Sequence, residues 1–104
     1  MKIKVTPEAK SEFRESVMFY ESRQKGLGKK FSEAVKSTLY FIAENPLGAE
    51  VKYLDVRVTT VKTFPFTIHY SVENSYVLIL AVFHNSKKPI KLLKYYLTGF
   101  RNSP

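Results

Sequence analysis

The chain has 104 residues and no cysteine, which indicates one small domain and excludes disulfides and thiolate metal sites. An apolar fraction of 44% argues against disorder, and the longest apolar stretch, residues 76–83, is too short to cross a bilayer. The net charge of +8 indicates an acidic partner, or serves only to keep the protein soluble. We expect a cytoplasmic protein without a membrane partner.

The first elements are a strand and a helix. Residues 2–5 alternate charged and apolar side chains, which predicts a short strand. The start of a helix is indicated by Thr6, Pro7 and Glu8. Thr can cap the helix N-terminus, Pro fits the first helical position, and the Glu carboxylate is favourable at the positive end of the helix dipole. Apolar residues then recur at helical spacing, namely Ala9, Phe13, Val17 and Tyr20. The charged face, which includes Glu21, is expected to be solvated.

A glycine-containing segment, residues 25–28, is expected to end this helix, since glycine adopts the left-handed conformation that closes helices. A second helix follows. It carries one apolar stripe, made of Leu27, Phe31, Val35, Leu39 and Ile42. It ends at Asn45, because Pro46 disfavours a helical conformation in the residue before it. The short connection predicts an antiparallel helical hairpin.

From Tyr53 the apolar period changes to two, which predicts strands. In the first strand, side chains are expected to alternate between the two faces of the sheet. One face would hold Leu54, Val56 and Val58, and the other Asp55, Arg57 and Thr59. A second strand begins at Phe66, and in it His69 is expected to be exposed together with Thr67 and Ser71.

The turn of residues 73–75 predicts a hairpin into a third, continuously apolar strand at residues 77–83. Such a strand is typical of the centre of a sheet covered on both faces. The expected fold is α+β, in the order β-α-α-β-β-β, with the helical hairpin packed on a small, mainly antiparallel sheet. Residues 1–104 form a single domain, and residues 89–104 are either a C-terminal helix on the sheet or a mobile basic tail.

Charge is concentrated in the second half of the chain. Residues 1–50 hold nine Lys or Arg and seven Asp or Glu, whereas residues 51–104 hold eight and two. The excess positive charge is therefore expected on the strands and the tail. A partner for such a surface is nucleic acid, an acidic protein segment or lipid headgroups.

No standard catalytic motif is present, and the two histidines lack metal-ligand spacing, so we expect neither a metal nor a cofactor. Adjacent strands are expected to place several cationic residues near one end of the sheet. The candidates are Arg57, Lys62, His84, Lys87 and Lys88.

In metal-free RNA cleavage, His84 suits proton transfer and Arg57 suits bidentate phosphate binding. The alternative is that His84 is structural and that Arg57 pairs with a helix carboxylate.

Short segments spread from Ile3 to about Pro89 resemble the RelE/ParE superfamily of bacterial toxins. They are Thr6-Pro7-Glu8-Ala9, Tyr20, Gly26-Leu27-Gly28, Phe31, Ile42-Ala43-Glu44-Asn45-Pro46, Val56-Arg57, Phe64-Pro65-Phe66-Thr67-Ile68-His69-Tyr70 and Ala81-Val82-Phe83-His84-Asn85-Ser86-Lys87-Lys88-Pro89. The resemblance implies the β-α-α-β-β-β fold. It also implies a toxin of a type II toxin–antitoxin, or plasmid stabilisation, system that a cognate antitoxin neutralises.

Within this superfamily, RelE-like members cut messenger RNA on the ribosome and ParE-like members block DNA gyrase. The nucleases typically carry an Arg in the third strand, where this chain has Thr67, three residues before Tyr70. The resemblance therefore favours a ParE-like inhibitor of gyrase that acts by protein binding. The same five cationic candidates then bind the target or the antitoxin.

Two alternatives stay open. One is a metal-independent, ribosome-dependent endoribonuclease with Arg57, His84, Lys87 and Lys88 as its active residues. The other is a degenerate member that only binds nucleic acid or its antitoxin.

Overall fold

The computed structural model describes residues 1–86. The helices and strands of this part of the chain are β1 Lys2–Val5, α1 Pro7–Arg23, α2 Leu27–Glu44, β2 Val51–Tyr53, β3 Val56–Thr60, β4 Phe66–Val72 and β5 Tyr76–His84. Lys87, Lys88 and the interpretation of residues 89–104 as a helix or tail lie outside the described residues. Within the described residues, no helix has the length and apolar character that a membrane span requires.

The strands form one mixed sheet in the order β1-β5-β4-β3-β2. β1 runs parallel to β5, and the other neighbouring pairs are antiparallel. The α+β arrangement predicted from the sequence is confirmed, with one strand more than expected. β5 lies between β1 and β4, and its residues Ile79, Leu80 and Ala81 are buried, as a central strand requires.

The extra strand arises because the expected alternation was wrong at Leu54 and Asp55, whereas residues 56–59 do alternate their faces within β3. Val51 pairs with Arg57, so the chain reverses between β2 and β3. Leu54 occupies this turn with a φ of 49° and is 72% exposed. The alternating sequence conceals the turn, because Leu54 and Asp55 fit a period of two as well as they fit a reversal.

Both helices pack on the same face of the sheet. Directly paired residues share a face, and the pairs Phe66–His84 and Ile68–Val82 therefore define the helix-facing side. The core on this side is apolar and includes Phe31, Val35, Ile42, Ile68, Tyr70, Val77, Ile79 and Val82. The helical hairpin thus covers one face, as predicted.

Two polar side chains fix α1 along β5. Thr6 Oγ1 accepts from the Ala9 N–H at 3.1 Å, which confirms the predicted cap, and donates to the Leu80 carbonyl at 3.4 Å. The buried Glu12 accepts from the Val82 N–H at 3.0 Å. The pairing of β1 with β5 ends at Val5, before Val82 is reached. The carboxylate of α1 therefore satisfies an amide of the central strand that the edge strand cannot.

Glycine shapes the connection between the helices, although not as expected. α1 ends at the extended residue Gln24, whereas Gly26, with a φ of 87°, is the N-cap of α2. The Glu21 carboxylate accepts from the N–H groups of Gly26 and Gly28 at 3.0 Å each. Glu21 was expected to be solvated, but it satisfies the free amides at the start of α2.

Gly28 permits the close approach of the two helices. A Cβ at this position would lie 2.7 Å from the Val17 carbonyl oxygen and 3.0 Å from the Glu21 side chain. Gly28→Ala should therefore destabilise the protein by about 1–3 kcal/mol, although glycine-to-alanine changes in helices are ordinarily stabilising. Urea unfolding measures this, with Ser37→Ala on the exposed side of α2 as the control. A Gly28→Ala protein as stable as the parent would show that the helices are not in this contact.

Candidate functional site at the basic end of the sheet

Two of the predicted site residues lie at the same end of the sheet. β4 runs antiparallel to both β3 and β5, so the final residues of those two strands lie at one end. Lys62 follows β3 there and is exposed, and His84 is the last residue of β5. The Asn85 N–H donates to the Pro65 carbonyl at 2.8 Å, which joins the two segments.

Arg57 lies elsewhere. It pairs with Tyr70, four residues along β4 from Phe66, the partner of His84. This places Arg57 about 13 Å along the strands and about 10 Å across them from His84. Its Nη1 donates to the carbonyl oxygens of Ala49 at 2.6 Å and Leu47 at 3.3 Å. The structure therefore does not bring Arg57 together with His84, and its guanidinium contacts backbone carbonyls rather than a helix carboxylate.

His84 is held by its own chain. Its Nδ1 accepts from the Ser86 N–H at 3.1 Å and lies 2.6 Å from Ser86 Oγ. Since Nδ1 accepts a hydrogen bond, the proton of the neutral ring is on Nε2. The ring meets Phe66 edge to face, with centroids 5.0 Å apart. Nε2 is thus the nitrogen that can donate to a partner.

A pocket of about 360 Å³ lies between α1 and the end of β5. The residues that line it are Glu15, Ser16, Phe19, Tyr20, Phe66, His84 and Ser86. Burial raises the pKa of Tyr20 above its ordinary value. The pocket combines aromatic walls with hydroxyl, carboxylate and imidazole groups, and so suits a planar, partly polar ligand.

The tip of the helical hairpin lies at the same end as Lys62. The rings of Tyr20, near the end of α1, and Phe31, in α2, contact Phe64 in the β3–β4 connection at 5.0 and 5.2 Å. The tip carries exposed cations that we did not predict as site residues. Together with Lys62 they form what we call the basic end, Arg23, Lys25, Lys29, Lys30 and Lys62. The sequence signal was four cations in residues 23–30.

The described strands contribute little of the expected positive charge. Residues 51–86 carry three Lys or Arg and two Asp or Glu, whereas residues 87–104 carry five Lys or Arg and no acid. Acidic residues lie at the opposite end of the sheet from the basic end, in the turns that contain Asp55 and Glu73. The described part of the molecule therefore carries a cluster of cations at the hairpin tip, rather than positive charge along its strands.

His69 is buried, in contrast to our expectation. It is 4% exposed and lies between the hydroxyl groups of Tyr53, 3.0 Å from Nδ1, and Thr67, 2.8 Å from Nε2. The Phe83 ring lies 5.6 Å away. Burial lowers the pKa of His69 to about 4 and raises that of Tyr53 to about 12. The periodicity correctly places His69 on one face with Ser71, but both of these side chains are buried.

Within residues 1–86, no cluster of three or more histidine or acidic side chains has a geometry suited to a metal ion. No protein-family model matches the sequence, and no curated protein is significantly similar to it.

Comparison of structures does find a neighbour. It is a chain from the solved structure described as "Chromosomal ParDE TA system from P. aeruginosa", with a TM-score of 0.71 and 17% sequence identity over 81% of this chain and 95% of that chain. This chain shares the fold of that ParDE protein. The fold that the resemblance implies is therefore confirmed, although few residues are identical. The helical hairpin and the sheet described above belong to this shared fold.

Acid should destabilise the protein through His69. Between the folded pKa of about 4 and the ordinary value of about 6.5, the unfolded chain binds more protons than the folded one. Stability is therefore complete above about pH 6.5 and falls as the pH is lowered, by about 2 kcal/mol from pH 7 to pH 5. Urea unfolding at both pH values measures this loss.

His69→Gln should lower stability at pH 7 but flatten the pH dependence, whereas the control His84→Gln should retain it. An equally steep loss in His69→Gln would assign the pH dependence to other groups.

Proposed function

We propose that this chain is the toxin of a type II toxin–antitoxin system, that a cognate antitoxin neutralises it, and that it inhibits DNA gyrase by protein binding. The observation that carries the proposal is the fold shared with a ParDE chain, with a TM-score of 0.71 over 95% of that chain. The ordered sequence segments that resemble the RelE/ParE superfamily support it independently.

An apolar groove between α2 and β1 offers a site for the antitoxin. Two pockets, of about 250 and about 190 Å³, share Lys36 and Leu39 along their border. One also contacts Ile3 and Tyr40, and the other extends to Phe13. β1 is an edge strand of the sheet. We call this surface the α2–β1 groove.

Charge favours an acidic amphipathic segment as the occupant of the α2–β1 groove. The exposed residues Lys10 and Lys36 border an otherwise apolar surface. A partner with apolar side chains on one face would bury them in the groove. Carboxylates beside that face would pair with Lys10 and Lys36. Such a segment can fold as it binds, which lets a disordered antitoxin region wrap around the toxin.

The basic end is the surface proposed for the target. Lys62 is part of it, His84 lies at the same end of the sheet, and Lys87 and Lys88 follow His84 by three and four residues in the sequence. Arg57 is assigned instead to holding the loop after α2, because its guanidinium donates to two carbonyls of that loop. The nuclease alternative has less support, since the phosphate-binding and proton-transfer candidates are apart.

Neutralisation can be separated from toxicity. Expression of the chain alone should arrest growth and induce DNA damage signalling, and co-expression of its cognate antitoxin, sought in the neighbouring reading frames, should restore growth. Lys10→Glu with Lys36→Glu should keep the arrest but lose the rescue, since the partner's carboxylates would then meet like charges.

The control for these charges is Lys52→Glu on β2, at the opposite edge of the sheet, which makes the same change in net charge as Lys36→Glu alone and should still be rescued. Normal growth with a folded product would contradict the toxin assignment. New messenger RNA ends found by primer extension would favour the nuclease alternative.

The target surface makes its own prediction. In the variant Lys62→Glu with His84→Ala, the inducer concentration needed for growth arrest should rise by at least about tenfold. Binding to the antitoxin should be unchanged. The physical reason is that side chains away from the α2–β1 groove affect only the surface on which they lie. Full toxicity in this variant would exclude these two residues from the target contact.

A further inference from the structure

β2 forms the edge of the sheet that is opposite to β1, and within residues 1–86 no strand lies beyond it. On its inner side, the Glu50 carbonyl accepts from the Val58 N–H of β3 at 3.4 Å. Backbone groups of successive residues in a strand point to opposite sides. The N–H and C=O of Val51 therefore point away from β3, towards the open edge. Unpaired groups of this kind are able to pair with a further strand.

The side chains along this edge alternate in chemistry. Val51 pairs with Arg57, which pairs with Tyr70, so Val51 lies on the helix-facing side of the sheet. Glu50 and Lys52 lie on the other side, where their charged groups are 3.0 Å apart. We call Glu50, Val51 and Lys52 the β2 edge.

The apolar side chains at the β2 edge are not explained by folding. Val51 is 48% exposed. Leu47, whose carbonyl accepts from Arg57 at 3.3 Å, lies on the same side of the sheet and is 67% exposed. The hydrophobic core of the described residues includes neither of them. Exposed apolar residues at an edge strand are a feature that proteins usually avoid, so a surface of this kind favours a partner.

The order of charges on the β2 edge is complementary to itself. When a second copy pairs antiparallel with Val51 opposite Val51, Glu50 of each copy lies opposite Lys52 of the other. The outward N–H and C=O groups of the two valines then exchange hydrogen bonds. A register shifted by two residues places Lys52 opposite Lys52, or Glu50 opposite Glu50. A partner of a single charge would match only one of these two residues, so a second copy fits better.

We propose that two copies of this chain associate through the β2 edge, antiparallel about a twofold axis at Val51, so that their sheets become continuous. Such an interface uses one surface twice, as symmetric dimers do. A pairing this short buries less than the roughly 1,600 Å² of a standard interface. The association is therefore weak, with a dissociation constant on the order of 10–1,000 μM.

The pairing leaves the surface proposed for the antitoxin free, because the α2–β1 groove lies at the opposite edge of the sheet. Rescue by the antitoxin is therefore expected with and without the pairing, and in Lys52→Glu as well. The inference goes beyond the proposed toxin function and does not depend on it.

Sedimentation equilibrium of the full chain, at concentrations from about 10 to about 1,000 μM, measures the association. The average mass should rise from one chain towards two. Glu50→Lys and Lys52→Glu should each raise the dissociation constant at least about tenfold, because both cross-strand pairs then join like charges. A mixture of these two variants should associate as the parent does, since the lysines of one lie opposite the glutamates of the other.

Val51→Pro tests the backbone part of the pairing. Proline removes the N–H that points outwards and leaves the ladder with β3 in place. Association should be lost, while urea unfolding shows that the variant is folded.

Matched controls separate the β2 edge from general charge and hydrophobicity. Lys2→Glu on β1 repeats the charge change at the other edge of the sheet. Met18→Ser removes a side chain of α1 that is 71% exposed. Neither should alter the dissociation constant by more than about twofold, because both residues are distant from the pairing.

Association of the parent, its loss in each single variant and its recovery in their mixture support the proposal. Three results would overturn it: a monomer over the whole concentration range, equal association in all variants, or single variants that fail to associate when mixed. The masses are measured without antitoxin or target, so the toxin assignment is left to its own test.

Discussion

Phe31 holds the two layers of the molecule in register. Its side chain is fully buried, and its ring lies 4.8 Å from Phe66, 5.2 Å from Phe64, 5.2 Å from Tyr20 and 6.1 Å from Phe13. The two helices and the β3–β4 connection therefore meet at one ring. Truncation of a buried phenylalanine typically costs about 3–5 kcal/mol. The basic end exists because this contact places the hairpin tip beside the ends of β3 and β5.

The molecule presents two surfaces of different chemistry. The α2–β1 groove is apolar with a lysine border and lies beside an edge strand, which suits a protein segment. The basic end presents exposed cations, which suits an acidic target surface. Since the groove and the basic end are lined by different side chains, a partner protein and a charged target can be recognised by separate residues. This separation is what a protein needs if one partner is to control its action on another.

Buried polar groups specify the fold as well as stabilise it. Within residues 1–86, every buried side-chain nitrogen or oxygen has a hydrogen-bond partner. Glu12 satisfies an amide of β5, and His69 bridges two hydroxyl groups on the opposite face. A shifted register would leave such groups unpaired in the interior, at a cost of about 1–3 kcal/mol each. These contacts therefore select one arrangement of α1 and the strands over its neighbours.

The sequence by itself determined the helices and most strands, because caps, prolines and apolar periods are local signals. Examples are the cap at Thr6, the helix end before Pro46 and the alternation after Phe66. Each of these signals depends only on residues close by in the sequence. Tertiary structure decided what those signals do not contain. It showed that Arg57 binds backbone carbonyls and that His69 is buried.

Tertiary structure also showed that cations separated by more than thirty residues of sequence share one end of the sheet. Side-chain partners depend on which strands become neighbours and in which register, and periodicity is the same for every such pairing.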